Sequence, residues 1–111
     1  ALFLKERVVA IDNFVADLSK IGTAFYVALA GFFVGEADAP TDILIVGKFN
    51  KNKFLDHMKL LEKNVQHELN YTLMTPEEFK YRRDVTDRFL YRILEDKKNV
   101  VHDTLKDMVT A

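Results

Sequence analysis

The sequence predicts a single α/β domain, in which helices flank a small mixed sheet of three to four strands. Residues 24–34 are apolar almost without a break, and a second apolar run covers residues 43–46. Around these runs, apolar residues recur at steps of three and four, the spacing of amphipathic helices. Buried strands with helices between them are typical of α/β proteins. A length of 111 residues is enough for one hydrophobic core.

The first helix is predicted over residues 2–20. Its apolar stripe consists of Leu4, Val8, Ile11, Val15 and Leu18. Gly22 follows the last apolar position and is the expected C-cap, because glycine readily adopts the left-handed conformation that ends many helices. The run over residues 24–34 then suits a central strand that is covered on both faces.

The second strand is predicted from Asp42 to Val46, after an acidic loop over residues 35–41, and Gly47 closes it. Asn50 is the expected N-cap of the next helix. The buried stripe of that helix consists of Phe54, Leu55, Met58, Leu61 and Val65. A third strand is predicted over residues 68–74, where Leu69, Tyr71 and Leu73 alternate with more polar neighbours.

A third helix is predicted to begin at Thr75-Pro76-Glu77-Glu78 and to end near Asp84. Thr75 can cap it, proline suits its first turn, and Glu78 can complete a capping box. A fourth helix is predicted over residues 87–95, a short edge strand over residues 99–101, and a final helix in the tail up to Ala111. The buried side of the fourth helix consists of Phe89, Leu90, Ile93 and Leu94.

Composition excludes several classes of protein. Sixteen basic and seventeen acidic residues give a net charge of −1. The excess of positive charge that is usual in nucleic-acid-binding domains is therefore absent. The absence of cysteine excludes disulfides and thiolate metal sites and fits a reducing compartment. The longest apolar run is about half a membrane span, and no leader opens the sequence. We therefore expect a cytoplasmic protein, and a start within a helix suggests a domain cut from a longer chain or a processed chain.

Four stretches of the sequence resemble minimal nucleotidyltransferases of the DNA polymerase β superfamily. They are residues 31–36 (GFFVGE), 42–47 (DILIVG), 68–79 (ELNYTLMTPEEF) and 87–95 (DRFLYRILE). The resemblance covers roughly residues 22–101 and is most specific over residues 69–95. It is closest to the domain that follows the winged-helix module in some bacterial and archaeal transcriptional regulators. Residues 1–5 are similar to the helix leaving that module, so the resemblance implies that a DNA-binding part lies upstream.

The resemblance implies an active site that is incomplete in this sequence. The family binds two divalent cations through convergent carboxylates, and two of these carboxylates lie two positions apart, on one face of a strand. The matching positions here are Pro40 and Asp42, and the third carboxylate corresponds to Asn70. The family's Gly-Ser turn holds phosphate through its hydroxyl and its backbone amides. Here the matching pair is Ala30-Gly31 or Gly31-Phe32, and neither supplies a hydroxyl.

These departures predict a domain that has lost nucleotidyl transfer and needs no cofactor. The vestigial positions of the active site are Gly31, Phe32, Gly35, Glu36, Pro40, Asp42 and Asn70. Asp42 then has two interpretations. It is either a structural residue at the start of a strand, hydrogen-bonded to nearby backbone amides, or a remaining metal ligand, with Asp38 as the weak second candidate.

Three functions remain open at this point. The leading interpretation is an inactive nucleotidyltransferase-like domain that serves as a regulatory, ligand-sensing or dimerisation module of a transcriptional regulator. The alternative is an active minimal enzyme, in which Asp42 and a loop carboxylate, Glu36 or Asp38, share Mg²⁺ and the substrate is a nucleotide such as ATP. A further alternative is an antitoxin-like protein that binds a partner.

The first helix is the expected interaction surface. Phe3, Leu4, Phe14 and Leu18 would be exposed there for a second copy or a protein partner. DNA would be reached only through the upstream module, and no membrane is involved. Basic residues between 80 and 92 are mixed with acidic ones, which predicts a solvated helix face rather than a nucleic-acid surface.

Overall fold

The computed structural model describes residues 4–105 of the chain. Its elements are α1 (Leu4–Leu18), β1 (Gly22–Leu29), a 3₁₀ turn (Gly31–Val34), β2 (Ile43–Phe49), α2 (Lys51–Val65), β3 (Tyr71–Met74), α3 (Pro76–Asp84), α4 (Arg88–Glu95) and β4 (Asn99–Asp103). The predicted α/β class is confirmed, because these helices accompany one mixed four-stranded sheet. The final helix that the sequence predicts lies outside the described residues, as do Phe3 and the side chain of Leu4.

The strands lie in the order β3-β2-β1-β4. β2 and β3 run parallel, from the Ile43–Tyr71 pair to the Val46–Met74 pair. β1 and β4 run antiparallel, with a bulge at Val27/Ala28. The N–H of Ala30 donates to the Asp42 carbonyl at 2.8 Å, so the end of β1 lies beside the start of β2. The turn after β1 and the starts of β2 and β3 therefore meet at one edge of the sheet.

The chain divides into two compact units. The first unit contains α1 and α2 and runs up to Thr23 and then from Phe49 to Glu68. In this unit α1 packs against α2. The buried ring of Phe14 stacks on His57 with 4.7 Å between ring centroids, and the His57 Nε2 lies 2.9 Å from the Phe14 carbonyl oxygen. An α1 residue and an α2 residue are thus joined by both a ring contact and a hydrogen bond.

The second unit contains most of the sheet together with α3 and α4. Alternate residues of β1 and β2, such as Tyr26 and Leu44, join one hydrophobic cluster with the helices. The full cluster consists of Tyr26, Ala28, Leu44, Val46, Met74, Phe79, Leu90, Ile93 and Leu105. Side chains two positions apart on a strand share a face, so this face of the sheet packs against α3 and α4.

Two helix starts agree with the sequence prediction. The Asn50 side chain accepts from the Lys53 N–H at 3.1 Å, and the Thr75 hydroxyl accepts from the Glu78 N–H at 3.0 Å. The Glu78 carboxylate, however, accepts from Arg82. The caps follow the prediction because they depend only on residues within one turn of chain.

Several predicted boundaries are wrong. β1 ends at Leu29, and the apolar residues 31–34 form the 3₁₀ turn instead of continuing the strand. Gly22 is the first residue of β1 rather than a C-cap. β3 begins at Tyr71 rather than at residue 68, and β4 extends to Asp103. On β3, Tyr71 is exposed. Apolar residues occur both in strands and in turns, so composition alone does not locate these boundaries.

The predicted exposure of α1 also needs correction. Phe14 and Leu18 are buried, with exposed fractions of 3% and 0%, so neither is available to a partner. Val8, predicted as part of the buried stripe, is instead 47% exposed, and its neighbour Val9 is 50% exposed. The buried side of α1 is rotated relative to the predicted stripe, because Ala10 and Phe14 join Ile11 and Leu18 in the interior.

Candidate functional site

Asp42 is the centre of the site that the sequence predicts. Its Oδ1 accepts from the Phe32 N–H at 2.8 Å, and its Oδ2 accepts from the Asn70 N–H at 2.8 Å. Its main-chain N–H donates to the Asn70 carbonyl at 2.7 Å. With the bond from Ala30, the residue makes four hydrogen bonds. Asp42 thus fastens the turn after β1 and the residue before β3 to the start of β2.

Gly31 makes the approach of Asp42 possible. Its φ is +47°, in the left-handed region that favours glycine. A Cβ on this residue would lie 2.2 Å from the Oδ1 of Asp42 and 2.9 Å from the Thr41 carbonyl oxygen. Because both distances are shorter than van der Waals contact, any side chain at position 31 would displace the carboxylate or the backbone.

Gly35 ends the 3₁₀ turn with a φ of +74°, and the N–H of the next residue, Glu36, donates to the Gly31 carbonyl at 2.9 Å. Phe32 and Phe33 pack edge to face within the turn, with 5.3 Å between ring centroids. The turn therefore carries two aromatic side chains and no hydroxyl, and one of its amides is already engaged by Asp42.

Neither Pro40 nor Asn70 supplies a carboxylate to the site. Pro40 is partly buried and lies two residues before Asp42. Asn70 acts through its main chain: its N–H donates to Asp42, and its carbonyl accepts from Asp42 and, at 3.3 Å, from Ile43. Any residue except proline could supply these main-chain groups. The side-chain type of Asn70 therefore does not reveal its contribution.

Thr41 is a part of the site that sequence reasoning missed. It is 1% exposed, and its hydroxyl lies 3.0 Å from the Asn70 carbonyl and 3.1 Å from the Ile43 carbonyl. The same oxygen accepts from the Thr72 hydroxyl at 2.9 Å. The available signal was a threonine two positions before the apolar residues 43–46, next to Asp42. Once buried there, its hydroxyl needs hydrogen-bond partners.

Glu36 and Asp38 line a different feature, a cavity of about 190 Å³ beside the C-terminal end of α4. Its lining residues are Glu36, Asp38, Ala39, Arg92, Asp96 and Lys97. Arg92 donates from Nη2 to the Asp38 carbonyl at 2.7 Å, and its Nε lies 3.5 Å from the Asp96 carboxylate. Asp42 is not part of this lining. Over residues 4–105, no three acidic or histidine side chains come together in a group that could hold a metal ion.

Two of the three basic residues of α3 are paired with acidic ones, while Arg83 lies over the Phe79 ring, 5.9 Å from its centroid. Lys80 contacts Asp84 at 3.3 Å, and Arg82 contacts Glu78 and Asp87 at 3.1 and 3.2 Å. Hydrogen bonding to Glu78 raises the pKa of Arg82. These pairs neutralise one another on an exposed helix face, which argues against a positively charged surface for nucleic acid.

Comparisons with family models, with curated proteins and with solved structures found no match to this chain. Among the described residues, no helix has the length and apolar character needed to cross a membrane.

Proposed function

We propose that this chain is a non-catalytic nucleotidyltransferase-like domain that acts as a regulatory module. The observation that carries the proposal is the engagement of Asp42, whose two carboxylate oxygens each accept a backbone N–H. A carboxylate held in this way fastens three segments of the fold. Its role is structural, and the domain keeps the framework of an active site without the reaction.

The chemistry of two-metal catalysis supports the proposal. Divalent cations that bind a triphosphate need several oxygen ligands with negative charge. Position 40 is proline, and Asn70 supplies backbone groups to Asp42. The resembling family uses amides of the turn for phosphate, whereas the Phe32 amide is occupied by a carboxylate here. A phosphate entering the turn would meet a like charge at Asp42.

The cellular setting follows from the resemblance. Regulators of the winged-helix type place such a domain after the DNA-binding module, so we propose a cytoplasmic transcriptional regulator of a bacterium or archaeon. In that setting the domain senses a ligand or joins protein subunits. DNA contact then belongs to the upstream module, which agrees with a net charge of −1 on this chain.

The decisive experiment measures nucleotidyl transfer and nucleotide binding together. The purified chain is incubated with Mg²⁺ and labelled ATP in the presence of candidate acceptors, and Mg²⁺–ATP is titrated in a calorimeter. We expect no labelled product and no saturable heat. Labelled product that disappears in the Asp42→Asn variant would overturn the proposal and establish the active enzyme.

We also propose that α1 contributes to self-association. Val8 and Val9 are apolar and about half exposed on this helix, and a second copy would match the two-fold symmetry of most DNA operators. We expect light scattering to show a dimer at high protein concentration and a monomer for Val9→Lys. Asp56→Lys, at an exposed position on α2, is the control and should leave the dimer intact. A monomeric parent chain at every concentration would contradict this part of the proposal.

A further inference from the structure

We propose that the cavity between residues 36–39 and the end of α4 binds a small zwitterion, a molecule with one ammonium and one carboxylate group. The inference rests on the proposed function in one respect, namely that the domain senses a ligand instead of transferring a nucleotide. The site is distinct from the surroundings of Asp42, which does not line the cavity.

The walls of the cavity carry both signs of charge. Glu36 and Asp38 come from the loop before β2, while Arg92 and Lys97 come from α4 and the residues after it. Arg92 joins the two walls, because its Nη2 donates to the Asp38 carbonyl at 2.7 Å although the two residues are far apart in sequence. The cavity therefore has two carboxylates on one wall and two cations on the other, where the Asp96 carboxylate lies beside Arg92.

The described contacts leave donors and acceptors available for a ligand. A guanidinium has five N–H donors, and the contacts of Arg92 with Asp38 and Asp96 use two of them. Among the side chains that the structure describes, those of residues 7–105, no ion pair is formed by Lys97 or by the Glu36 carboxylate. A ligand carboxylate can thus accept from Arg92 and Lys97, and a ligand ammonium can donate to Glu36 and Asp38.

The size and the charge of the cavity select the class of ligand. About 190 Å³ is below the roughly 300 Å³ at which sites for drug-sized molecules begin, so a nucleotide is too large. A simple anion would face Glu36 and Asp38, and a simple cation would face Arg92 and Lys97. A molecule with both charges gains attraction on each wall, whereas either half alone meets a like charge on one of them.

The test is an NMR titration of the isotope-labelled chain with straight-chain amino acids of increasing length. The probes are glycine, β-alanine and γ-aminobutyrate, and the single-charge controls are acetate and propylammonium. We expect saturable amide shifts at residues 36–39 and 96–97, with a dissociation constant of about 1 mM for the best probe. Acetate and propylammonium should bind about tenfold more weakly or not at all.

Two variants and two controls make the result specific. Lys97→Met and Glu36→Gln should each weaken binding about fivefold, while Lys51→Met and Glu95→Gln, outside the lining, should leave it unchanged. The inference is overturned if no probe gives saturable shifts at these residues up to about 50 mM, or if acetate binds as well as the zwitterions. The nucleotide assay described above does not depend on this titration. Failure of the zwitterion proposal can therefore be distinguished from failure of the proposed function.

Discussion

The Oδ1 atom of Asp42 lies 2.2 Å from the point that a Cβ on Gly31 would occupy. The glycine and the carboxylate therefore depend on each other, since Asp42 can reach the Phe32 N–H only where residue 31 has no side chain. Positive φ is a second, separate reason for glycine at this position. The two reasons can be separated because Gly35 shares the positive φ but has no atom within 4 Å of its ideal Cβ.

Gly31→Ala should therefore destabilise the fold much more than Gly35→Ala. We expect the free energy of unfolding to fall by about 1 kcal/mol for Gly35→Ala, the approximate penalty for a left-handed alanine. Gly31→Ala adds the displacement of Asp42 and should lower it by about 3 kcal/mol or more. Urea unfolding monitored by circular dichroism gives both values. Equal losses in the two variants would show that backbone conformation alone selects glycine at position 31.

A double-mutant cycle tests the contact itself. In an Asp42→Ala background the Oδ1 atom is absent, so the new methyl group of Gly31→Ala conflicts only with the Thr41 carbonyl. We expect the additional loss from Gly31→Ala to shrink by about 1 kcal/mol or more in that background. Additive losses in the free energy of unfolding would contradict the dependence of Gly31 and Asp42 on each other.

Asp42→Asn should destabilise the chain even though it preserves shape. The amide oxygen can accept one backbone N–H, but the amide nitrogen would face the other N–H, so one donor loses its acceptor. A hydrogen bond to a charged acceptor contributes about 1.5 to 3 kcal/mol, so loss of one should lower the free energy of unfolding by about 1.5 kcal/mol. Asp38→Asn is the control, because its bond to Arg92 runs through the main-chain carbonyl, and it should change the free energy of unfolding by less than about 0.5 kcal/mol. A stable Asp42→Asn variant would remove the structural role.

Local signals in the sequence were sufficient for part of the fold. The caps at Asn50 and Thr75 were predictable because the donor and the acceptor lie three residues apart. The end of β1 was not, since the turn at Gly31 is fixed by Asp42, which lies farther along the chain. A contact of that range leaves no periodic pattern, and the apolar side chains of Phe32 and Phe33 conceal the change from strand to turn.

The candidate site, like the fold, was predictable only in part. The resemblance brought Gly31, Asp42 and Asn70 together as positions, and these residues do meet. The structural interpretation of Asp42 expected bonds to backbone amides close to it in the chain. The amides that it contacts belong instead to Phe32 and Asn70, ten and twenty-eight residues away in the sequence. Thr41 was missed because a single threonine before a strand looks like an ordinary loop residue until its burial is known.

Tyr26 predicts a loss of stability at alkaline pH. Burial, followed by the negative charge of Asp103, raises the pKa of this phenol above its ordinary value of 10.0. The unfolded chain then loses the proton first, so the stabilisation is fully present below pH 10.0 and declines as the pH rises through the folded pKa. The free energy of unfolding should fall in this range, and it should fall less in Tyr26→Phe. In ultraviolet titration, one of the four tyrosines should ionise last; four equivalent tyrosines would contradict the assignment.

Thr86 predicts a stabilising substitution. It joins α3 to α4 with a φ of +55°, a left-handed conformation that is unfavourable for a β-branched residue. Thr86→Gly removes this strain, which should raise the free energy of unfolding by about 1 kcal/mol. The greater flexibility of glycine in the unfolded chain offsets part of this gain. Gln66 is the matched comparison, because it has a φ of +58° but is not β-branched. Gln66→Gly should therefore stabilise less than Thr86→Gly in thermal unfolding, and a destabilised Thr86→Gly would show that the threonine side chain contributes contacts that outweigh its strain.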